Sequence, residues 1–122
     1  MRKQSRKTVI RKLDTIISKI VRQRGYCERC NRTNNLQAAH IYSRSRMSTR
    51  FDLKNILCLC PDCHMNFAHK NPLEFAEFVE KFLGEEETDR LTLRANLPRK
   101  FEIYELEDLL TRFNDIAKEL EG

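Results

Sequence analysis

No run of 18 apolar residues occurs in the chain, and its charged N-terminus carries no hydrophobic signal core. Neither a membrane span nor Sec export is therefore expected, and the expected location is the cytoplasm. Glycine and proline are scarce, three of each, and histidine occurs only three times in 122 residues. There is no internal repeat and no low-complexity stretch, so length points to one domain, with room for a helical extension. Acids are nearly missing from one half. Residues 1–50 hold only Asp14 and Glu28 against 14 Lys/Arg, whereas residues 51–122 hold 16 acids against nine basic residues. A half of one sign attracts a polyanion.

Cysteine is present five times, an odd count, and four of the five form two Cys-x2-Cys pairs, Cys27/Cys30 and Cys60/Cys63. Without an export signal, such pairs argue for bound metal rather than disulfides. Thiolates hold Zn²⁺ tetrahedrally, and the 29 residues between Cys30 and Cys60 leave room for a two-strand insertion. Four thiolates leave no open position, so the zinc is expected to be structural. A small domain with little burial to spare gains from such a staple. Iron–sulfur or thioredoxin-like chemistry is the rival, though neither pair sits between a strand and a long helix. Cys58, in "NILCLC", reads as a buried strand thiol, with a ligand or redox role as its alternative.

Residues 1–7 read as disordered when free. Apolar residues at three- and four-residue spacing then predict an amphipathic helix over residues 8–24, closed by Gly25. Short strands are expected at 36–43 and 53–60, joined by the basic, polar connection "RSRMSTRFD". A short helix from Asp62 to about Lys70, a second opened by Pro72 and ended by Gly84, and a third over 85–97 follow. The last helix, over 102–120, carries Leu106, Leu109, Leu110, Phe113, Ile116, Ala117 and Leu120 on one face. It either packs back on the same domain or forms a homodimer seam.

Three polar residues can meet on a hairpin followed by a helix: His40 near the end of the first strand, Asn55 at the opening of the second, and His64 beside the last ligand cysteine. Phosphodiester hydrolysis needs a base for water, a divalent cation for the developing charge and something to hold the base. A neutral imidazole suits the first task, imidazole can also ligate a metal, and an Asn amide can orient a histidine, brace a loop or act as an ordinary turn residue. Arg44, Arg46, Arg50 and Lys54 would lie across phosphates. Asp52 is a turn or cap acid, or holds Arg50 or a site group.

"AAHI" followed by "DLKNILCLCPDCH" resembles the HNH, or ββα-metal, nuclease motif, with 15 positions from His40 to Asn55 and nine from Asn55 to His64. The resemblance covers roughly residues 25–70 and extends to the four-cysteine zinc subgroup; a looser one is to the NinG-like phage recombination nucleases. It implies an α+β fold: a zinc-stapled ββα-metal core over residues 25–71, preceded by a basic tail and helix over 1–24 and followed by helices over 72–122. It implies His40 as general base, Asn55 as positioning residue and His64 as ligand of a catalytic divalent ion, Mg²⁺ or Mn²⁺, sometimes Ni²⁺ or Zn²⁺. The implied partner is DNA, branched if the NinG-like resemblance extends to substrate, cut to 5′-phosphate and 3′-hydroxyl ends; a phage origin would place the protein in the host cytoplasm.

The pattern departs from the family at one point. A metal-ligating Asp or His generally precedes the base, and here that position is Ala39. His69 is the candidate replacement, but it lies five residues after His64. On a regular helix five residues turn about 500°, leaving side chains roughly 140° apart, so His69 can share an ion only if the helix loosens before Pro72. The rivals are a non-catalytic zinc module that binds DNA with its basic half, and a zinc-stapled protein-interaction domain.

Overall fold

The computed structural model describes residues 4–122. Helix α1 spans Arg6–Arg22, capped by Ser5, whose hydroxyl accepts the amide of Thr8. The expected disorder of residues 1–7 therefore does not hold for Arg6 and Lys7, which are helical, while residues 1–3 lie outside the described residues. The apolar stripe Val9, Leu13, Ile17, Ile20 and Val21 is buried, and Gly25 turns the chain away with φ of +87°.

Strands β1 (Gln37–His40) and β2 (Ile56–Leu59) pair antiparallel, with His40 opposite Ile56 and Gln37 opposite Leu59. Both are shorter than the sequence suggests. Residues Leu53–Asn55 form a 3-10 turn, because the Asp52 carboxylate accepts the amide of Lys54 and ends the extended run. A two-strand hairpin is marginal alone, and here all four residues of β2 are buried. Alternation divides them between two cores. Ile56 and Cys58 join α1 and Phe51 in one cluster, while Ala39, Leu57 and Leu59 join Cys27, Cys60, Cys63 and Val79 in the other. Cys58, fully buried, is a core thiol whose pKa burial pushes up.

The connection over residues 44–52 is not irregular throughout: helix α2 (Met47–Arg50) lies within it, pinned by buried Thr49 and Phe51. After β2 the chain enters a π-helix, Asp62–Ala68, then α3 (Pro72–Leu83) and, after Gly84 at φ +88°, α4 (Glu85–Asn96). Helix α4 closes over the 44–52 segment. Arg46 donates to the Ala95 carbonyl at 3.2 Å, and Arg94 pairs with Asp52 at 2.8 Å.

Helix α5 (Ile103–Glu121) packs back on α1 within the same chain. The two run parallel: Arg6 meets the Phe101 carbonyl at their starts, and Lys19 pairs with Glu121 at their ends. Leu106, Phe113 and Ala117 enter the α1 core, so the apolar face expected as either core or dimer seam is largely used inside the chain. Leu106 is fully buried and Leu120 is 55% exposed. Leu106→Ala should therefore lower unfolding stability by about 2–5 kcal/mol, whereas Leu120→Ala should change it by less than about 0.5 kcal/mol. Urea unfolding of the zinc-loaded protein at two concentrations checks both, and a midpoint that moves with concentration would count against α5 docking in its own chain.

Candidate metal centre and histidine cleft

The four paired cysteines come together: the Sγ atoms of Cys27, Cys30, Cys60 and Cys63 all lie within 4.8 Å of one another, with Cys30 and Cys60 at 3.6 Å. A tetrahedron of about 2.3 Å metal–sulfur bonds puts sulfurs roughly 3.8 Å apart, so the donor set fits one Zn²⁺. The first knuckle closes through the Asn31 amide donating to the Cys27 carbonyl at 2.9 Å, with Asn31 at φ +67°. The second is the entry to the π-helix, where the Cys63 amide donates to Cys60 Sγ at 3.4 Å. Glu28 fastens the first knuckle to β2: its amide donates to the Cys58 carbonyl, and its carboxylate accepts the Cys58 amide and Arg24.

The protonation chemistry supports a cation. Burial raises the Cys27 pKa, but the amides of Cys60, Cys30 and Arg29 outweigh it and bring it down to about 6. Burial pushes Cys63 up to about 12, with the neighbouring sulfurs adding to the rise against the Arg29 hydrogen bond. Four crowded sulfurs cannot all ionise unless a dication offsets their charge. Arg29 supports the cluster from outside, donating to Cys63 Sγ at 3.5 Å while its guanidinium lies 3.4 Å from the Phe67 ring centre.

The three histidines line two adjoining cavities of about 460 and 500 Å³. The five-residue spacing of His64 and His69 is resolved by the π-helix. The His69 amide donates to the His64 carbonyl at 3.3 Å, an i→i+5 bond, and the two rings stand 4.9 Å apart. The loosening that a shared ion would require is therefore present. Side chains support the wide turn: Asn66 donates to Asp62, Asn71 donates to the Asn66 carbonyl, and Phe67 packs edge-on to Phe75 and Phe78.

His40 is set by its backbone partner. Nε2–H donates to the Arg50 carbonyl at 3.0 Å, because a carbonyl can only accept, and Nδ1 keeps its lone pair. Its pKa lies below the ordinary 6.5: burial lowers it most, the Arg50 carbonyl opposes, Arg44 lowers it further, and Asp14 and Arg50 act in opposite senses. His40 is therefore neutral at neutral pH. His64 is also lowered, by burial first and then by His69 and His40.

Asn55 does not line either cavity. It is fully buried, accepting the Tyr42 amide at 2.8 Å and donating to the carbonyls of Tyr42 and Thr49, each at 3.0 Å. It braces the segment whose Arg50 carbonyl holds His40. Ala39 is buried in the second core and offers no metal donor beside His40. Among the described residues, no second group of three ligand side chains comes as close as the cysteines do.

The basic candidates differ in their freedom. Arg50 is held by Asp14 at 2.6 Å, Lys54 by Glu87 at 3.0 Å, and Arg46 by the end of α4, where it also stacks on Tyr42. Arg44 is 60% exposed, touches Asp14 only at 3.7 Å and lines the cleft. Asp52 caps its turn and pairs with Arg94, not Arg50. Two residues escaped the sequence reading. Asp14, which lines the cleft and holds the arginines, was legible as the one acid in α1; Gln37, which accepts from His64 Nδ1 at 2.8 Å, carried no signal.

Residues 20–70 match the family model described as HNH endonuclease, a span from the end of α1 through the knuckles, hairpin and π-helix. No curated protein and no solved structure matches the chain, and the NinG-like likeness gains no support. The chain thus has a region similar to the HNH endonuclease family, together with a four-cysteine cluster able to chelate a metal. The purified protein should hold one equivalent of zinc, and Co²⁺ substituted for it should give the intense charge-transfer absorption of four thiolate ligands. A metal content of zero, or a spectrum with fewer sulfurs, would contradict the cluster.

Proposed function

We propose that the protein is a metal-dependent DNA endonuclease of low sequence specificity. The family match and the cysteine cluster by themselves carry a zinc-stapled nucleic-acid-binding module; the observation that favours cleavage is the convergence of His40, His64 and His69 on one cleft beside Arg44. In this reading DNA lies along the basic half of the chain, with Arg44 on a backbone phosphate. His40 Nδ1 takes a proton from water as the water oxygen bonds to phosphorus. The bond from phosphorus to the 3′-oxygen breaks, and the leaving oxyanion takes a proton from solvent water, giving 5′-phosphate and 3′-hydroxyl ends. Asn55 acts through the loop that fixes His40. His64 and His69 would hold the divalent ion, which when bound offsets charge on the phosphoryl and leaving oxygens. Two imidazoles without a carboxylate suit Mn²⁺ or Ni²⁺ better than Mg²⁺.

The second reading, a non-catalytic DNA-binding module, is favoured by Ala39 and by the lack of a second compact ligand group among the described residues. One experiment separates the two. Supercoiled, linear and four-way-junction DNA would be incubated with the zinc-loaded protein and Mg²⁺, Mn²⁺ or Ni²⁺, beside His40→Ala. Cleavage lowered about 10²–10⁴-fold in the variant, with DNA affinity unchanged, supports the endonuclease; equal binding and no cutting by either protein supports the module. Branched DNA as the preferred substrate, and a reducing cytoplasm that keeps the thiols available for metal, belong to the same proposal.

The pH dependence has a definite sign. His40 must be unprotonated to act, so cleavage should rise with pH and level off once its proton is lost. Burial holds that pKa below 6.5, so the plateau should begin at a lower pH than an ordinary imidazole would give. A rate still climbing steeply between about pH 7 and 8 with His40 intact would argue that some other group is the base.

A further inference from the structure

Gln37 begins β1 opposite Leu59 and points to the same side of the strand as Ala39, two residues on. Its side-chain oxygen accepts the Nδ1–H of His64 at 2.8 Å. We infer that Gln37 is the positioning residue of the cleft's metal site, holding His64 as the Nδ1–H tautomer so that the Nε2 lone pair is the ligand. The inference rests on the endonuclease reading above.

A neutral imidazole has one N–H and one lone pair, so fixing the proton on one nitrogen decides which nitrogen can bind a cation. Histidines that ligate metals generally donate their other N–H to an oxygen, which sets the ring orientation and strengthens the lone pair. Here the oxygen belongs to a paired strand residue that lies one position from the knuckle-bearing end of the hairpin, so its place is set by the ladder and the cysteine cluster. The face of β1 that is bare at Ala39 thus contributes through an acceptor one pleat earlier. It acts on the ion through His64 rather than by touching it.

The test uses the full chain with its zinc retained, at about pH 8, where His64, its pKa lowered by burial, is neutral. Long-range ¹H–¹⁵N correlations read the His64 tautomer, and Ni²⁺ titration reads the affinity of a second metal. Wild type and Gln37→Glu should both keep Nδ1–H, because a carboxylate can only accept. Gln37→Leu should relax to a tautomer mixture and lose about 10–100-fold in Ni²⁺ affinity. Rescue by Glu but not by Leu distinguishes orientation from packing. An unshifted tautomer or an unchanged affinity in Gln37→Leu overturns the role of Gln37 and leaves the endonuclease reading standing. A wild type that takes up no metal beyond its one zinc overturns that reading, and the ligand role of His64 with it.

Discussion

Four sulfurs within 4.8 Å of one another are the constraint on which the rest of the molecule depends. Held together as thiolates they would need a dication, and one bound there would tie the turn after α1 to the end of β2 and the first turn of the π-helix. The hairpin is only four residues per strand, too short to stand on its ladder alone. Both its faces are covered, and a metal on the cysteines would staple its open end, making it a firm base for His40 and Gln37.

The π-helix is the second device. A regular helix would carry His69 well round from His64, whereas the i→i+5 bond brings the two rings together edge-to-face. Its wide turn is supported by Phe67, which is gripped between Arg29 and the aromatic rings of α3. Arg29 also donates to a ligand sulfur. The sulfur cluster and the π-turn that carries the histidines therefore share one supporting residue, Arg29.

Charge is arranged on a similar principle. The acids of the second half reach back to the basic connection: Glu87 takes Lys54, and Asp52 is joined to Arg94. Asp14, from the basic half itself, takes Arg50 and draws on Arg44. These half-exposed pairs contribute little stability one by one. Their larger effect is to fix the backbone around the Arg50 carbonyl, on which the orientation of His40 depends, while Arg44 is left the most available cation beside the cleft.

Much of this was determined by local sequence. Cys-x2-Cys spacing, helix periodicity, Gly25, Pro72 and Gly84 act over a few residues, and α1, α3, α4, α5 and the four-sulfur cluster follow from them nearly where expected. The nearness of His40 and His64 was legible because a hairpin and a helix have fixed reach, whereas Asn55, expected beside them, is buried behind the loop. Tertiary structure decided what depends on partners distant in the chain. The burial of Phe51 and Thr49 folded an expected loop into α2, and packing on α1 resolved the two-sided choice open to the last helix. Support from Arg29 and α3 accommodated a π-turn that no propensity announces. The bond from Gln37 to His64 joins residues 27 apart in sequence; only the folded hairpin brings that amide and that imidazole within hydrogen-bonding distance.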